Sequence, residues 1–111
     1  MGGLAMSVVE SNKIDAMGKS KEKKELSLLI ADHLEWENEY EHLVILQDKI
    51  NSYLAFIESK QYESTYPQDN FESFVIEIHF QHGMTDNCLK FLETVANQAE
   101  ELNVIIKVEM E

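Results

Sequence analysis

Histidine and carboxylate side chains are concentrated in one short stretch of the sequence. Its titratable residues are Asp32, His33, Glu35, Glu37, Glu39, Glu41 and His42. Imidazole nitrogens and carboxylate oxygens are the ligand types of zinc and of similar metals. The spacing matches no established ligand pattern, because positions 37 and 41 share one face of a helix while 39 and 42 lie elsewhere. We interpret the stretch as the acid-rich start of a helix, and we predict no metal site and no cofactor.

A second group of titratable residues lies on the polar face of an alternating segment. Glu77 and His79 would adjoin Lys107 and Glu109 if the segments that carry them pair as strands. Attraction between opposite charges on neighbouring strands accounts for such a group without catalysis. His82 stands beside Gly83 and is interpreted as a loop histidine.

The sequence offers little for nucleophilic catalysis. Cys88 is the only cysteine, so no disulfide forms within the chain. It falls on the apolar face of a predicted helix, where burial raises the pKa of a thiol and makes it inert, although a nearby helix N-terminus acts in the opposite direction. The sequence contains neither a nucleophile elbow nor a glycine-rich phosphate loop. We predict no catalytic residue and favour a function other than catalysis.

The charge of the chain is strongly negative. The 111 residues carry a formal net charge of −12. Residues 1–33 hold as many lysines as acids, so the whole excess lies in residues 34–111. Such a surface repels nucleic acid and anionic membranes and attracts cationic partners. No apolar run approaches the length of a membrane span. We predict a cytoplasmic protein with one domain over residues 8–111, preceded by a leader or tag remnant at residues 1–7.

Two segments have helical periodicity. In residues 37–60 the apolar side chains recur every three or four positions, at Leu43, Leu46, Ile50, Tyr53, Leu54 and Ile57. A second helix begins at Thr85 or Asp86, either of which can cap it, and continues to Leu102. Asn103 suits the left-handed position after a helix.

Four segments have the pattern of strands. The first is predicted within residues 8–17, with strand character around Ile14 and Ala16, and ends at Gly18. The second covers residues 26–31, and the two are predicted to form a hairpin around a charged tip at residues 19–24. The others cover residues 74–82 and 104–110, where Val104, Ile106, Val108 and Met110 are expected to point inward. The order ββαβαβ predicts an α+β fold with a four-stranded mixed sheet, strand order 1-2-3-4. Right-handed crossovers that step the same way would place both helices on one face.

Two apolar side chains of the long helix lie away from its core stripe. Ile45 and Phe56 are three turns apart on the same side, and Lys49 lies between them. We predict a protein interface formed by Ile45, Lys49 and Phe56, which binds a protein partner or a second copy of the chain. The alternative is that the hairpin, the loop at residues 61–70 or the N-terminal segment covers them.

A resemblance rests on the helix segment 46–59 followed by Tyr66-Pro67, together with Ile14-Asp15, Asp32-His33-Leu34 and Trp36. These segments resemble a family of small bacterial proteins that is catalogued only as a domain of unknown function. It implies a bacterial source and a stand-alone domain. It implies no activity and no catalytic residues.

Three hypotheses about function follow. The favoured one is a non-enzymatic protein-interaction domain, in its most specific form an acidic inhibitor or immunity-type protein that neutralises a basic partner. The second is a small enzyme or metal-binding protein that uses the histidine and carboxylate groups. The third is a structural homodimer without a separate ligand.

Overall fold

The computed structural model describes residues 8–20 and 24–111. Its strands and helices are β1 (Ala16–Lys19), β2 (Glu25–Asp32), α1 (Glu39–Glu58), β3 (Ser73–Phe80), α2 (Asp86–Ala99) and β4 (Val104–Met110). Short 3-10 turns at Gln61–Ser64 and Glu100–Leu102 follow the two helices. The order ββαβαβ confirms the predicted α+β fold class. The predicted leader, residues 1–7, and residues 21–23 of the predicted tip at residues 19–24 lie outside the described residues.

The four strands form one mixed sheet in the order β1-β2-β3-β4, as predicted. β1 and β2 pair antiparallel as a hairpin, whereas β2 with β3 and β3 with β4 pair in parallel. A parallel pair needs a crossover connection, and α1 and α2 are those crossovers. The alternation of apolar residues in 74–80 predicts that this segment is a strand. The helical crossovers before and after it make β3 parallel to both β2 and β4.

Both helices pack on the same face of the sheet and share one hydrophobic core, which confirms the predicted architecture. The strands supply Leu26, Leu28, Ile30, Phe74, Ile76, Ile78 and Phe80, and the helices supply Leu46, Ile50, Tyr53, Ile57, Cys88, Leu92, Val95 and Ala99. The opposite face carries the alternate strand residues, among them Ser27, Glu77 and Lys107. We call this second face the open face.

The N-terminal part of the chain differs from the prediction. Residues 8–15 form no strand; we call them the N-terminal strap, because they cross from the sheet to α1. Val8 is fully buried and its N–H donates to the carbonyl of Ala31 at 2.9 Å. β1 begins only at Ala16 and runs through Gly18, which lies opposite Ser27. Glycine does not end the strand because the antiparallel pairing with β2 continues past it.

The ends of the helices agree with the capping signals in the sequence. The Asn38 side chain accepts from the N–H of Glu41 and starts α1, and the Thr85 side chain accepts from the N–H of Cys88 and starts α2. After the 3-10 turn, Asn103 has a left-handed backbone, with φ of 60°. This confirms its predicted role and turns the chain back into β4.

At the end of β4 the structure corrects the prediction. The alternation predicts that Met110 points into the core, yet it is 58% exposed. It lies in the last position of a strand at the edge of the sheet, where the core cluster does not reach it. Among the described residues, no helix is long and apolar enough to cross a membrane.

Candidate functional site

A buried histidine–aspartate pair lies where β2 ends and α1 begins. Nε2 of His42 lies 2.7 and 2.9 Å from the two carboxylate oxygens of Asp32, and both side chains are buried. Nδ1 of His42 lies 3.1 Å from the carbonyl oxygen of Glu35. The carbonyl oxygen of Glu35 thus faces Nδ1 and the carboxyl group of Asp32 faces Nε2, so both ring nitrogens have hydrogen-bonding partners. Neither ring nitrogen is left for a ligand.

Trp36 encloses this pair. Its ring stacks on His42 with the ring centroids 3.6 Å apart, and its indole N–H donates to the carbonyl of Gly83 at 2.8 Å. Trp36 thereby links the segment before α1 to the loop before α2. Of the titratable residues in the stretch 32–42, the structure brings Asp32 and His42 together. Their contact fixes the end of β2 against the first turn of α1.

Outside this pair the surface forms a cleft of about 430 Å³. We call it the acidic cleft, and its lining residues are His33, Leu34, Glu35, Glu37, Asn38, Glu41, His42 and Ile45. Its three glutamates are exposed. Charge of one sign in a concave surface concentrates ligands of the opposite sign. The cleft therefore favours a cationic group.

The remaining acid of the stretch, Glu39, has partners on the second helix. Asn87 donates from its side-chain amide to Oε1 of Glu39 at 3.0 Å. Hydrogen bonds from Thr85 and Asn87 lower the pKa of Glu39. Across residues 8–20 and 24–111, no three histidine, cysteine or acidic side chains are arranged to hold a metal ion.

Cys88 is sealed in the core, as its place on the apolar face predicts. Its side chain is fully buried. Burial above all, and then the charges of Asp32 and Glu39, raise the pKa of the thiol to about 12. At neutral pH the sulfur is therefore a protonated thiol that a substrate does not reach.

The second group of titratable residues meets on the open face as expected. In the parallel register Glu77 lies beside Lys107, and His79 lies beside Glu109. Nε2 of His79 is 3.4 Å from Oε1 of Glu77. The opposite charges of Glu77 and Lys107 lie side by side, which is what cross-strand attraction produces at a surface.

The predicted interface requires one correction. Lys49 is not a surface residue: its side chain is fully buried. Ile45 and Phe56 are half-buried and pack against the core, with Ile45 at the acidic cleft and the Phe56 ring 6.3 Å from that of Tyr62. The interface prediction for Ile45 and Phe56 stays a prediction, whereas Lys49 leaves it because the N-terminal strap covers its ammonium group.

The Lys49 ammonium group fastens the strap to α1. It donates to the carbonyl oxygens of Glu10 at 2.7 Å and Lys13 at 2.6 Å, and to Oδ1 of Asp15 at 2.8 Å. Three hydrogens thus meet three acceptors. The other carboxylate oxygen of Asp15 accepts from the N–H of Ala31 at 2.9 Å, which connects the group to β2.

Tyr53 completes the polar network around the strap. Its hydroxyl accepts from the N–H of Asp15 at 2.8 Å and donates to the carbonyl oxygen of Leu29 at 2.5 Å. Burial raises the pKa of Tyr53. The sequence contained one signal for this network: Lys49 lies three residues after Leu46 and four before Tyr53, beside the buried stripe of the helix.

Comparison with known proteins identifies a family and no characterised relative. Neither the curated proteins nor the solved structures include a significant match. The model of one family, described as "Family of unknown function (DUF6572)", matches residues 6–111. That range contains the strap, the sheet and both helices, and the predicted boundary between a leader at residues 1–7 and a domain at 8–111 stays a prediction. The chain therefore belongs to this family of unknown function.

Proposed function

We propose that the protein is a non-enzymatic interaction domain that binds a basic protein through the outer face of α1 and the acidic cleft beside it. The observation that carries the proposal is the sign of the charge on this helix. Its exposed charged side chains are acids, namely Glu41, Asp48 and Glu58, and Glu37 precedes them. The one lysine of the helix, Lys49, is turned inward to Asp15. Burial of the only cation leaves the face uniformly negative.

An apolar centre accompanies these charges. Tyr40 is 80% exposed, and Val44, one helical turn later, is also exposed. Tyrosine is enriched where proteins bind one another, because its ring is large and rigid and its hydroxyl forms hydrogen bonds. At about 100° per residue, Glu41 lies on the helix surface between these two side chains and the cleft residue Ile45. This pattern of an aromatic anchor with acids around it fits a partner that presents apolar and cationic side chains together.

The net charge of −12 extends the attraction beyond the contact itself. Complementary charge raises the rate at which proteins meet, and salt reduces that rate by screening. An inhibitor or immunity-type protein that must capture a basic toxin quickly is the most specific form of this function. Two of the groups that an enzyme could use are engaged elsewhere, since His42 has partners at both ring nitrogens and Cys88 is buried.

The proposal is tested with two variants that remove the same amount of charge from different places. The face variant carries Glu37→Gln, Glu41→Gln and Asp48→Asn. The control variant carries Glu93→Gln, Glu100→Gln and Glu101→Gln, which are exposed positions on and after α2. Wild type and both variants are used for affinity capture from cells of the source organism at low salt. We expect the wild type and the control to retain the same basic protein and the face variant to lose it.

Kinetics with the captured partner separate specific contact from net charge. The association rate of the wild type should fall steeply with salt, and the face variant should associate more slowly at low salt. A specific contact through Tyr40 predicts that Tyr40→Ala raises the dissociation rate without changing the salt dependence. Equal losses in the face and control variants would mean that only total charge matters, and an unaffected face variant would place the binding surface elsewhere.

A further inference from the structure

β4 is an edge strand whose outer backbone groups point away from the sheet. Its seven residues, Val104–Met110, pair with β3 on one side, and no other strand of residues 8–20 and 24–111 pairs with them. The N–H of Phe74 donates to the carbonyl of Asn103, and the N–H of Glu111 donates to the carbonyl of Phe80. Backbone groups alternate in direction along a strand, so the odd-numbered residues bond to β3. The N–H and C=O groups of Ile106, Val108 and Met110 therefore point outward.

The two edges of the sheet are unequal. β1 has four residues, and just beyond it Val8 of the strap bonds to Ala31 of β2. In β4 all seven residues are in register with β3, without a proline, and Ile105 and Met110 are 55% and 58% exposed. A long edge strand with apolar side chains is a template for another strand. Within residues 8–20 and 24–111, the sheet ends at β4.

The charges of β4 select one pairing with a second copy of itself. In an antiparallel pair of identical strands, the twofold axis passes between the two copies of one residue. The residue before it in one copy then lies opposite the residue after it in the other copy. An axis at Lys107 would set two lysines against each other. An axis at Val108 sets Lys107 of each copy opposite Glu109 of the other, which gives two attractive pairs.

The backbone agrees with this register. Val108 is an even-numbered residue, so two copies placed on an axis there exchange both N–H···O=C bonds, and Ile106 of each copy bonds with Met110 of the other. Lys107 and Glu109 then occupy the positions without mutual backbone bonds, where opposite side chains approach most closely. Charge and hydrogen-bond direction thus point to the same arrangement.

We propose that the protein forms a homodimer in which β4 pairs antiparallel with β4 of a second copy about an axis at Val108. The result is a continuous eight-stranded sheet with all four helices on one face. The dimer uses a different surface from the outer face of α1, so it stands or falls independently of the proposed binding of a basic protein.

The second helix supplies further apolar surface for this contact. Asn87 of α2 faces α1, because it bonds to Glu39. Leu89 lies two residues later, about 160° around the helix, and so on the flank away from α1. It is 47% exposed. In the dimer this flank faces the α2 helix of the second copy, and burial of Leu89 adds to the pairing of the strands.

Charge exchange at two positions tests the register. Sedimentation of the full-length protein over a dilution series should show a dimer for the wild type. Lys107→Glu sets an introduced glutamate against Glu109, and Glu109→Lys sets an introduced lysine against Lys107. We expect each variant alone to raise the dimer dissociation constant at least about tenfold, because two attractive pairs become repulsive. The double variant, Lys107→Glu with Glu109→Lys, should dimerise like the wild type.

A mixture provides the decisive measurement. The two single variants should each be largely monomeric but form a heterodimer when mixed. One variant then carries acids at both positions and the other carries lysines at both, so that each pair across the axis is attractive. Lys90→Glu, which makes the same charge change as Lys107→Glu on the exposed side of α2, serves as the control and should leave the dimer unchanged. Circular dichroism of each variant checks that the monomers remain folded.

Hydrogen exchange reads the backbone directly. At high concentration the amides of Ile106, Val108 and Met110 should become slower to exchange than in dilute protein, while those of Lys107 and Glu109 change little, since they already bond to β3. A wild type that stays monomeric at millimolar concentration overturns the proposal. A dimer that neither the single variants nor the mixture affects, or whose protection appears on other strands, overturns it equally.

Discussion

At the scale of single residues, the buried Lys49 ammonium group is the contact that organises the N-terminal strap. A buried ion pair contributes little stability by itself, because both charges lose their hydration. Here the ammonium group replaces its water with three acceptors, one from each of Glu10, Lys13 and Asp15. Removal of the lysine would leave the carboxylate of Asp15 without its cation in the interior, which is far more costly than the pair is favourable.

We therefore expect Lys49→Met to lower the free energy of unfolding by about 3–5 kcal/mol. Methionine has a similar length but donates no hydrogen bond, so it fills the space without satisfying the acceptors. The urea midpoint measures the effect. Lys13→Met is the control, since its exposed side chain should contribute less than about 0.5 kcal/mol. Equal midpoints for the two variants would contradict the role given to the ammonium group.

The limits of prediction from the sequence are clearest at this scale. The pattern places Leu46 and Ile50 correctly because apolar spacing of three and four residues determines the buried side of a helix. It places Lys49 at the surface, since lysine is almost never fully buried without partners. The partners of Lys49 include backbone carbonyls more than thirty residues away in the chain. No local pattern reports a contact of that kind.

At the scale of elements, the sequence specifies the ends of the helices well because capping is local. Thr85 and Cys88 are three residues apart, and the hydroxyl of one accepts from the amide of the other at 3.1 Å. Asn103 adopts the left-handed backbone that asparagine tolerates. The sequence predicts the strap as part of the first strand, but its true course depends on Lys49 and Ala31 rather than on neighbours in the chain.

Loss of the Thr85 cap should destabilise the protein. We expect Thr85→Ala to cost about 0.5–2 kcal/mol, because the N–H of Cys88 loses its acceptor. Thr94→Ala is a matched control within the same helix. The Thr94 hydroxyl donates to the carbonyl of Lys90 on the exposed side, so its loss should have little effect or a slightly favourable one. Thermal unfolding of both variants compares them. A larger loss for Thr94→Ala would refute the assignment of the cap.

At the scale of the whole molecule, the charge acts against the fold. Twenty-one acids and nine basic residues give the net charge of −12, and the exposed acids repel one another in the compact state. The buried pair of Lys49 with Asp15 is shielded from salt, while the surface charges are not. Salt should therefore remove repulsion more than it weakens attraction.

We expect the urea midpoint to rise as sodium chloride increases from about 0.01 M to about 0.5 M, because the screening length falls across this range. The protein is kept dilute, so that self-association does not contribute. The variant with Glu93→Gln, Glu100→Gln and Glu101→Gln should show a higher midpoint at low salt and a weaker response. A midpoint that falls with salt would mean that surface attractions outweigh the repulsion.

The sealed position of Cys88 also gives the molecule a chemical reporter of its own motion. The thiol lies in the core beneath α2, and it is the only cysteine in the chain. A thiol reagent reaches it only when α2 separates from the sheet, so each modified molecule records one such opening. Where reclosing is faster than labelling, the rate of modification gives the equilibrium between closed and open forms. The native cysteine therefore measures local opening of the core, without an introduced label.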